Sequence, residues 1–198
     1  MTEATHSTKI LLVLDLDETL IHSCETPLET EADFRVSKFY VYKRPYLEEF
    51  LSACSEWFEL AVWSSASDNY VHQIVHEIFP NPKQLEFVWG ASRTTTRRTQ
   101  IDHYQEYGGS IGEYHDEKRL RKLKRFGWSI ERILIVDDSP EKCKQNYGNA
   151  IYSKAFFGEQ GDNELKYLAS YLETLKDCKN VRSIEKRRWR DSVDVKQR

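Results

Sequence analysis

Residues 10–20 read Ile-Leu-Leu-Val-Leu-Asp-Leu-Asp-Glu-Thr-Leu, an apolar run followed directly by two carboxylates. The run Ile10–Leu14 has the length and composition of a buried parallel strand. Side chains alternate along a strand, so Asp15 and Asp17 point to the same side, at the strand end where open α/β sheets bind ligands. The paired charges repel unless a divalent cation binds or one carboxyl keeps a proton, and both outcomes serve catalysis. The alternative is a turn in which Asp17 or Thr19 binds backbone amides.

A second acidic pair repeats this arrangement further along the chain. The apolar run Ile133–Val136 leads into Asp137 and Asp138, followed by Ser139 and Pro140. If the two strands are neighbours at the point where the strand order reverses, four carboxylates converge on one crevice, which suits the oxygen-binding ion Mg²⁺. The alternative is a helix cap at Asp138 or Ser139, and capping is compatible with metal binding.

Two further segments can reach the same crevice. The apolar run 60–63 ends in Ser64 and Ser65, although serine after a strand is most often a turn residue, and no Gly-x-Ser-x-Gly elbow surrounds it. Residues 117–126 are predicted to form a helix with many cations, most of them on a solvated face. One cation from this helix can neutralise phosphate charge, but spacing alone does not select it. The candidates are Lys118, Arg119, Arg121, Lys122, Lys124 and Arg125.

The alternation of strands and helices predicts an α/β fold with a five-stranded parallel sheet and helices on both faces. The two remaining strands are expected at 87–89 and 150–153, and helices at 45–54, 68–79, 117–126 and 162–175. Residues 28–42 alternate loosely and predict a β-hairpin flap, and residues 91–116 form an insertion. We expect an N-terminal tail over 1–8, one domain over 9–178 and a basic C-terminal tail over 179–198.

Composition excludes several classes of protein. The chain has 198 residues, 29 Lys and Arg against 32 Asp and Glu, and a net charge of -3, so nucleic-acid binding is not expected from global charge. No apolar run approaches the roughly 20 residues that span a bilayer, and residues 1–8 lack the apolar core of a signal peptide. We therefore predict a cytoplasmic location. The sequence does not indicate the oligomeric state.

Six segments together resemble the haloacid dehalogenase superfamily, specifically its FCP/SCP group, also called NLI-interacting-factor phosphatases. In chain order they are Asp15-Leu16-Asp17-Glu18-Thr19-Leu20 with His22 and Ser23; Lys43-Arg44-Pro45 with Glu49-Phe50-Leu51; Trp63-Ser64-Ser65-Ala66; Lys118 with Leu120 and Leu123; Val136-Asp137-Asp138-Ser139-Pro140; and Phe156-Phe157-Gly158 before Asp162-Asn163-Glu164-Leu165. The match covers about residues 9–175. It implies a Rossmann-like fold with small β-flap insertions and no large cap domain.

The resemblance also implies catalytic roles. Asp15 would be the nucleophile that forms an aspartyl-phosphate, and Asp17 would act first as the general acid and then as the general base. Ser64 would bind a phosphoryl oxygen, and Lys118 would offset negative charge, unless Arg121 or Lys122 takes that place one helical turn along.

The same resemblance implies a metal site and substrate contacts. Mg²⁺ would be held by the Asp15 carboxylate, the backbone carbonyl of Asp17 and the Asp138 side chain, while Asp137 orients Lys118 or a metal-bound water. The residues expected on the substrate side are Thr19, Ser65, Tyr70 and Arg93. Tyr70 matches a substrate-side tyrosine of the group, and Arg93 belongs to the longer 93–116 region near the expected entrance of the crevice. Tyr70 can alternatively be an ordinary half-buried aromatic residue.

These expectations lead to a Mg²⁺-dependent phosphatase whose open crevice admits a phosphorylated serine or threonine of a protein. Two alternatives remain. One acts on nucleotide or polynucleotide phosphate ends with the help of the arginines at 93–98 and the basic tail. The other is a non-catalytic binding module built on the same fold, which the intact Asp15, Asp17, Lys118 and Asp138 argue against.

Overall fold

The computed structural model describes residues 9–99 and 113–194. The expected tail over 1–8, the middle of the 91–116 insertion and the last four residues lie outside the described residues. The strands are β1 (Ile10–Leu14), β2 (Ile21–Cys24), β3 (Phe34–Val36), β4 (Phe39–Lys43), β5 (Phe58–Trp63), β6 (Val88–Trp89), β7 (Thr95–Thr99), β8 (Glu113–Glu117), β9 (Ile133–Asp137) and β10 (Ala150–Tyr152). The α-helices are α1 (Leu47–Trp57), α2 (Asp68–Ile78), α3 (Glu164–Glu173) and α4 (Trp189–Asp194).

Five strands form the predicted parallel sheet, in the order β10-β9-β1-β5-β6. The central strand β1 pairs with β5 on one side and β9 on the other, so Val13 lies between Ala61 and Ile135. All five residues of β1 are fully buried. This explains the unbroken aliphatic run at 10–14, because both faces of a parallel sheet are covered. The prediction of an α/β fold with a five-stranded parallel sheet is confirmed.

The two faces of the sheet are covered differently. Alternate β1 residues Ile10, Leu12 and Leu14 pack in one apolar cluster with the buried residues of all four α-helices. Leu11 and Val13 pack in a second cluster against 3-10 helices at Leu120–Phe126 and Ile130–Arg132. The prediction of an α-helix over 117–126 is therefore wrong. Leu120 and Leu123 are three residues apart, which matches the 3-10 repeat, and Gly127 ends the segment in the left-handed conformation at φ 84°.

Small antiparallel sheets are inserted between the main strands. The flap expected at 28–42 is the β3–β4 hairpin, which gains β2 on its other side, giving the order β2-β4-β3. In the 91–116 insertion, β7 pairs with β8, and Arg97 lies opposite His115. In the ranges 9–99 and 113–194 these small sheets are the insertions present, without a large cap domain.

The segment expected to be a basic C-terminal tail packs against the domain over residues 181–194. Val181, Trp189 and Val193 are buried in the larger apolar cluster, and the Trp189 ring stacks on Tyr171 at 5.6 Å. Apolar residues between the cations therefore pack this segment against the domain. The prediction of a tail rested on the basic charge and did not take these apolar residues into account. Among the described residues, no helix combines the length and apolar composition needed to cross a membrane.

Candidate active site

The two acidic pairs lie side by side at the carboxyl edge of the sheet. Strands β1 and β9 are neighbours, and the Asp15 amide continues the ladder by donating to the Val136 carbonyl at 3.0 Å. This pairing brings Asp15 next to Asp137 although they are far apart in sequence. Both side chains are buried, with exposed fractions of 1% and 0%. Buried carboxylates require compensating charge, which identifies the edge of the sheet as a candidate site.

Lys118 supplies part of that charge. Its Nζ donates to Asp15 Oδ1 at 2.5 Å and to Asp137 Oδ2 at 2.6 Å, and its side chain is fully buried. Burial lowers the pKa of Lys118, but the Asp137 and Asp15 carboxylates raise it more, so the net pKa is above the ordinary value. Lys118 therefore carries a positive charge next to the candidate nucleophile.

Lys118 follows strand β8 and lies just before the 3-10 segment. The backbone fixes it there, because its amide donates to the Lys142 carbonyl at 2.8 Å and its own carbonyl accepts from the Asn146 side chain. The two alternative cations lie elsewhere: Arg121 is exposed, and Lys122 Nζ donates to the Arg93 carbonyl at 2.6 Å. Of the three cations that the resemblance leaves open, the structure places Lys118 against Asp15.

Asp137 is the second carboxylate that binds Lys118. Its Oδ2 accepts from Lys118, and its Oδ1 accepts from the Ser139 amide at 2.9 Å. Burial and the neighbouring Asp15 charge raise the pKa of Asp137, and the ammonium of Lys118 opposes this effect. The contacts of Asp137 fit the expected role of orienting Lys118.

Three carboxylates can share a cation. Asp15, Asp137 and Asp138 each offer an oxygen, and these oxygens lie within 4.8 Å of one another. All three donors are hard oxygen atoms, the type that Mg²⁺ prefers, so this set of residues fits the ion. Asp17 was expected to contribute only its backbone carbonyl, and its side chain points to other partners.

The Asp17 carboxylate lies among hydroxyl groups. Its Oδ1 accepts from Tyr70 at 2.7 Å and from Ser23 at 3.2 Å, and its Oδ2 accepts from Ser64 at 3.4 Å. Burial raises the pKa of Asp17, as does the Asp15 charge, while the Tyr70 hydrogen bond lowers it; the net pKa is raised. A raised pKa keeps a carboxyl available as a proton donor nearer to neutral pH.

The other expected substrate-side residues lie at different distances from this centre. Thr19 is fully buried and its hydroxyl donates to Asp15 Oδ2 at 3.4 Å, while the Ser65 hydroxyl is buried without a hydrogen-bond partner among the described residues. Arg93 is exposed, and its guanidinium lies 5.4 Å from the centre of the Trp89 ring. Among the described residues, Arg93 contacts Trp89, Lys122 and the Gly90 carbonyl, and none of these contacts joins it to the carboxylates.

Three residues of the site were not selected from the sequence. Ser23, like Tyr70, donates a hydrogen bond to the Asp17 carboxylate, and the Ser23 Oγ lies 2.8 Å from the Tyr70 hydroxyl. Lys142 Nζ lies 3.8 Å from Asp15 Oδ2. Arg44 holds the loop after β1, since its Nη1 donates to the Thr19 carbonyl at 2.9 Å. Arg44 and Ser23 lie in segments used to identify the resemblance. Their hydrogen-bond partners are distant in sequence, however, and are seen only in the structure.

Comparison with known proteins identifies the family of this chain. The family model described as NLI interacting factor-like phosphatase matches residues 10–182, which include every carboxylate and lysine described above. The chain belongs to this family. The expected resemblance to the FCP/SCP group is thereby confirmed.

Two relatives of this NLI interacting factor-like chain show the extent of the similarity. CTD small phosphatase-like protein 2 of Dictyostelium discoideum is 31% identical over 183 residues, covering 89% of this chain and 29% of that protein. Carboxy-terminal domain RNA polymerase II polypeptide A small phosphatase 1 of Homo sapiens is 30% identical over 189 residues, covering 92% of this chain and 65% of that protein. The chain thus spans less than two thirds of the length of these relatives.

The fold of the family is seen in solved structures. Fission yeast RNA polymerase II CTD phosphatase Fcp1, solved with bound beryllium fluoride, superposes with a TM-score of 0.51 at 18% identity and covers 88% of this chain and 54% of that chain. At this level of identity the similarity establishes the fold of the NLI interacting factor-like domain.

Proposed function

We propose that this protein is a Mg²⁺-dependent phosphatase that hydrolyses phosphoserine or phosphothreonine of proteins through an aspartyl-phosphate. The observation that carries the proposal is the contact of Lys118 with both Asp15 and Asp137. In this contact a lysine with a raised pKa lies against a buried carboxylate at the carboxyl edge of the sheet, where α/β folds bind ligands. Such an arrangement suits attack on an anionic phosphoryl group.

Asp15 is the proposed nucleophile. Its carboxylate oxygen forms a bond to phosphorus while the bond from phosphorus to the leaving oxygen breaks. Lys118 holds Oδ1 at 2.5 Å, which fixes the carboxylate in one orientation and offsets its charge. Water then attacks phosphorus, the bond to Asp15 breaks, and inorganic phosphate leaves.

Asp17 is the proposed proton donor and acceptor. In the first step it gives its proton to the leaving alkoxide, and in the second it takes a proton from the attacking water. The raised pKa of Asp17 and its contacts with Tyr70 and Ser64 support this role. Ser64, whose hydroxyl contacts Asp17, is the proposed hydrogen-bond donor to a phosphoryl oxygen.

The carboxylates of Asp15 and Asp138, with the carbonyl of Asp17, are the proposed ligands of Mg²⁺. The bound ion supplies positive charge that offsets repulsion between the nucleophile and the phosphoryl group. Asp137, which belongs to the same oxygen cluster, is occupied by Lys118 and Ser139. We therefore assign Asp137 to orienting Lys118.

A phosphorylated protein is the proposed substrate class. The described insertions are small sheets, and the named activities of the two relatives are those of phosphatases. Thr19, Ser65, Tyr70 and Arg93 stay predictions for the substrate side, and the cytoplasmic location stays a prediction as well.

Hydrolysis of para-nitrophenyl phosphate with and without Mg²⁺ tests the proposal. We expect activity that requires the ion and disappears in Asp15→Asn, because an amide nitrogen does not attack phosphorus as a carboxylate does. Lys124→Gln, a change at an exposed cation, is the matched control and should retain activity. Equal rates for wild type and Asp15→Asn contradict the nucleophile assignment, and no activity in either points to a binding module.

A second assay addresses the substrate class. Phosphoserine, phosphothreonine and phosphotyrosine peptides are compared with phosphorylated oligonucleotides and nucleotides at equal concentration. We expect the highest kcat/KM for a phosphoserine or phosphothreonine peptide. A higher value for the oligonucleotide or nucleotide assigns the chain to the alternative phosphate-end class.

A further inference from the structure

A second lysine, Lys142, stands beside the acidic cluster. Its Nζ lies 3.8 Å from Asp15 Oδ2 and 4.0 Å from Asp138 Oδ1. Its side chain is 28% exposed, so it lines the crevice at the boundary with solvent. The turn after β9 holds its backbone in place, because the Lys142 amide donates to the Ser139 carbonyl at 3.2 Å.

The two lysines face different oxygens of the same carboxylate. Lys118 binds Asp15 Oδ1, is fully buried and is also held by Asp137. Lys142 faces the other oxygen, Oδ2, at a distance longer than a hydrogen bond, and its second neighbour is Asp138. Lys118 is therefore fixed, whereas the flexible stem of Lys142 allows its ammonium to exchange partners within the crevice.

This position sets two electrostatic effects in opposition. A divalent cation between Asp15 and Asp138 uses oxygens next to the Lys142 ammonium and is repelled by it. A phosphoryl group that approaches the nucleophile brings anionic oxygens within reach of the same ammonium and is attracted by it. The Lys142 charge thus repels the divalent cation and attracts the phosphoryl group.

We infer that Lys142 sets the occupancy of the site by weakening the binding of the divalent cation and strengthening the binding of the phosphoryl group. The inference rests on the proposed function, since it takes Asp15 and Asp138 as metal-binding carboxylates. Because a bound anionic phosphate would offset the Lys142 charge, the site should bind the cation more firmly when phosphate is also bound. A simple surface ion pair would contribute little and would leave both affinities unchanged.

Direct binding measurements test the inference without an activity readout. Mn²⁺ is titrated into metal-free protein and free Mn²⁺ is followed by electron paramagnetic resonance. Lys142→Gln should bind Mn²⁺ about tenfold more tightly, from the repulsion between a single and a double charge a few ångströms apart. Lys144→Gln, at an exposed lysine two residues along, should bind like wild type. Lys142→Arg keeps the charge and should also resemble wild type.

The phosphate arm uses inorganic phosphate and protein saturated with Mn²⁺, followed by calorimetry. Lys142→Gln should bind phosphate about three- to tenfold more weakly, since one charge-assisted contact is lost. Unchanged affinities for both ions, or changes of the same sign, overturn the inference. Lys142→Met serves as a second neutral variant that keeps the apolar stem, and thermal unfolding checks that each variant is folded.

An Asp138→Ala arm separates the inference from the proposed function, because alanine leaves no ligand oxygen at this position, whereas asparagine would keep one. If wild type binds Mn²⁺ and Asp138→Ala does not, the metal site stands, and the Lys142 variants alone decide the inference. If wild type binds no Mn²⁺, or Asp138→Ala binds it equally well, the proposed metal site fails and the role of Lys142 fails with it.

Discussion

The Tyr70 hydroxyl donates a 2.7 Å hydrogen bond to Oδ1 of Asp17, joining helix α2 to the loop after β1 across 53 residues of sequence. The hydrogen bond favours the charged carboxylate, whereas burial favours the neutral one, and burial has the larger effect on the pKa of Asp17. Tyr70 therefore limits how far that pKa rises. The balance between the phenol and burial bears directly on the proposed acid and base chemistry.

Tyr70→Phe removes the donor and should raise the pKa of Asp17 further. Because the proposed first step needs protonated Asp17, the alkaline limb of the pH profile of kcat/KM should move to higher pH. The measurement is hydrolysis of a phosphoserine peptide across the pH range. Tyr167→Phe, at a half-buried tyrosine of α3, is the control and should leave the profile in place. A Tyr70→Phe profile that falls at the same or lower pH contradicts the assignment.

Lys118→Met should lower the free energy of unfolding by about 3–5 kcal/mol, because it leaves buried carboxylates without their cation. The two carboxylates concerned are those of Asp15 and Asp137. Without Lys118, burial and the Asp15 charge raise the native pKa of Asp137 further above its unfolded value, so the deficit should grow as pH rises and shrink in acid. Urea denaturation at several pH values measures this, with Lys124→Met as the exposed control. A deficit that stays constant with pH argues against unpaired carboxylates as the cause.

Asp162→Asn should destabilise the domain by about 2–4 kcal/mol through the loss of a buried ion pair. Arg44 Nε and Nη2 donate to the two oxygens of Asp162 at 2.9 and 2.8 Å, and the Arg44 side chain has no exposed surface. Burial raises the pKa of Asp162, but the hydrogen bonds from Arg44 and the Glu164 amide lower it more, so the net pKa is depressed.

The sign of the pH dependence follows from that depressed pKa. The stability that Asp162 contributes is fully present above its unfolded pKa of about 4 and is lost as pH falls through the lower native pKa. The difference in unfolding free energy between wild type and Asp162→Asn should therefore be constant from pH 7 to pH 5 and narrow in stronger acid. Chemical denaturation at each pH measures the difference, and a gap that widens in acid contradicts the assignment.

Gly90→Ala should destabilise the protein by about 1–3 kcal/mol, because an added methyl group has no room. A Cβ at Gly90 would lie 2.8 Å from the Asp68 Cα and 2.9 Å from the Ala66 carbonyl oxygen, both backbone atoms. Gly161 is the matched control, since nothing lies within 4 Å of a Cβ there. Thermal unfolding of the two variants should show a loss for Gly90→Ala alone, and equal midpoints would contradict the steric argument.

Several elements were predictable because their signals are local. The strands 10–14 and 133–136 are continuous aliphatic runs, and each leads directly into an acidic pair. The alternation of strands with helical segments then predicts a parallel sheet, whereas the order of its strands comes from the structure. The short polar strand β2 was missed because Ile21–Cys24 has no apolar pattern and is stabilised by its antiparallel partner β4.

The segment 117–126 shows why local signals fail near the site. Its composition is that of a helix, but the backbone amide and carbonyl of Lys118 are hydrogen-bonded to Lys142 and Asn146. Those contacts hold Lys118 outside the 3-10 segment, which begins at Leu120 after Arg119 in an extended conformation. Tertiary hydrogen bonds thus outweighed helix propensity, whose contribution per residue is small.

The amino-acid sequence by itself determined the α/β architecture, the two acidic pairs and the family of the chain. Strand composition and the order of the motifs can be recognised from consecutive residues. Only the tertiary structure decided that Lys118 is the cation on Asp15, that Lys142 faces its other oxygen, and that Arg44 reaches Asp162 over 118 residues of sequence. The physical reason is the separation along the chain over which each interaction acts. Hydrophobic periodicity acts between near neighbours in the chain, whereas the pairing of buried charges depends on distances that exist only after the strands have assembled.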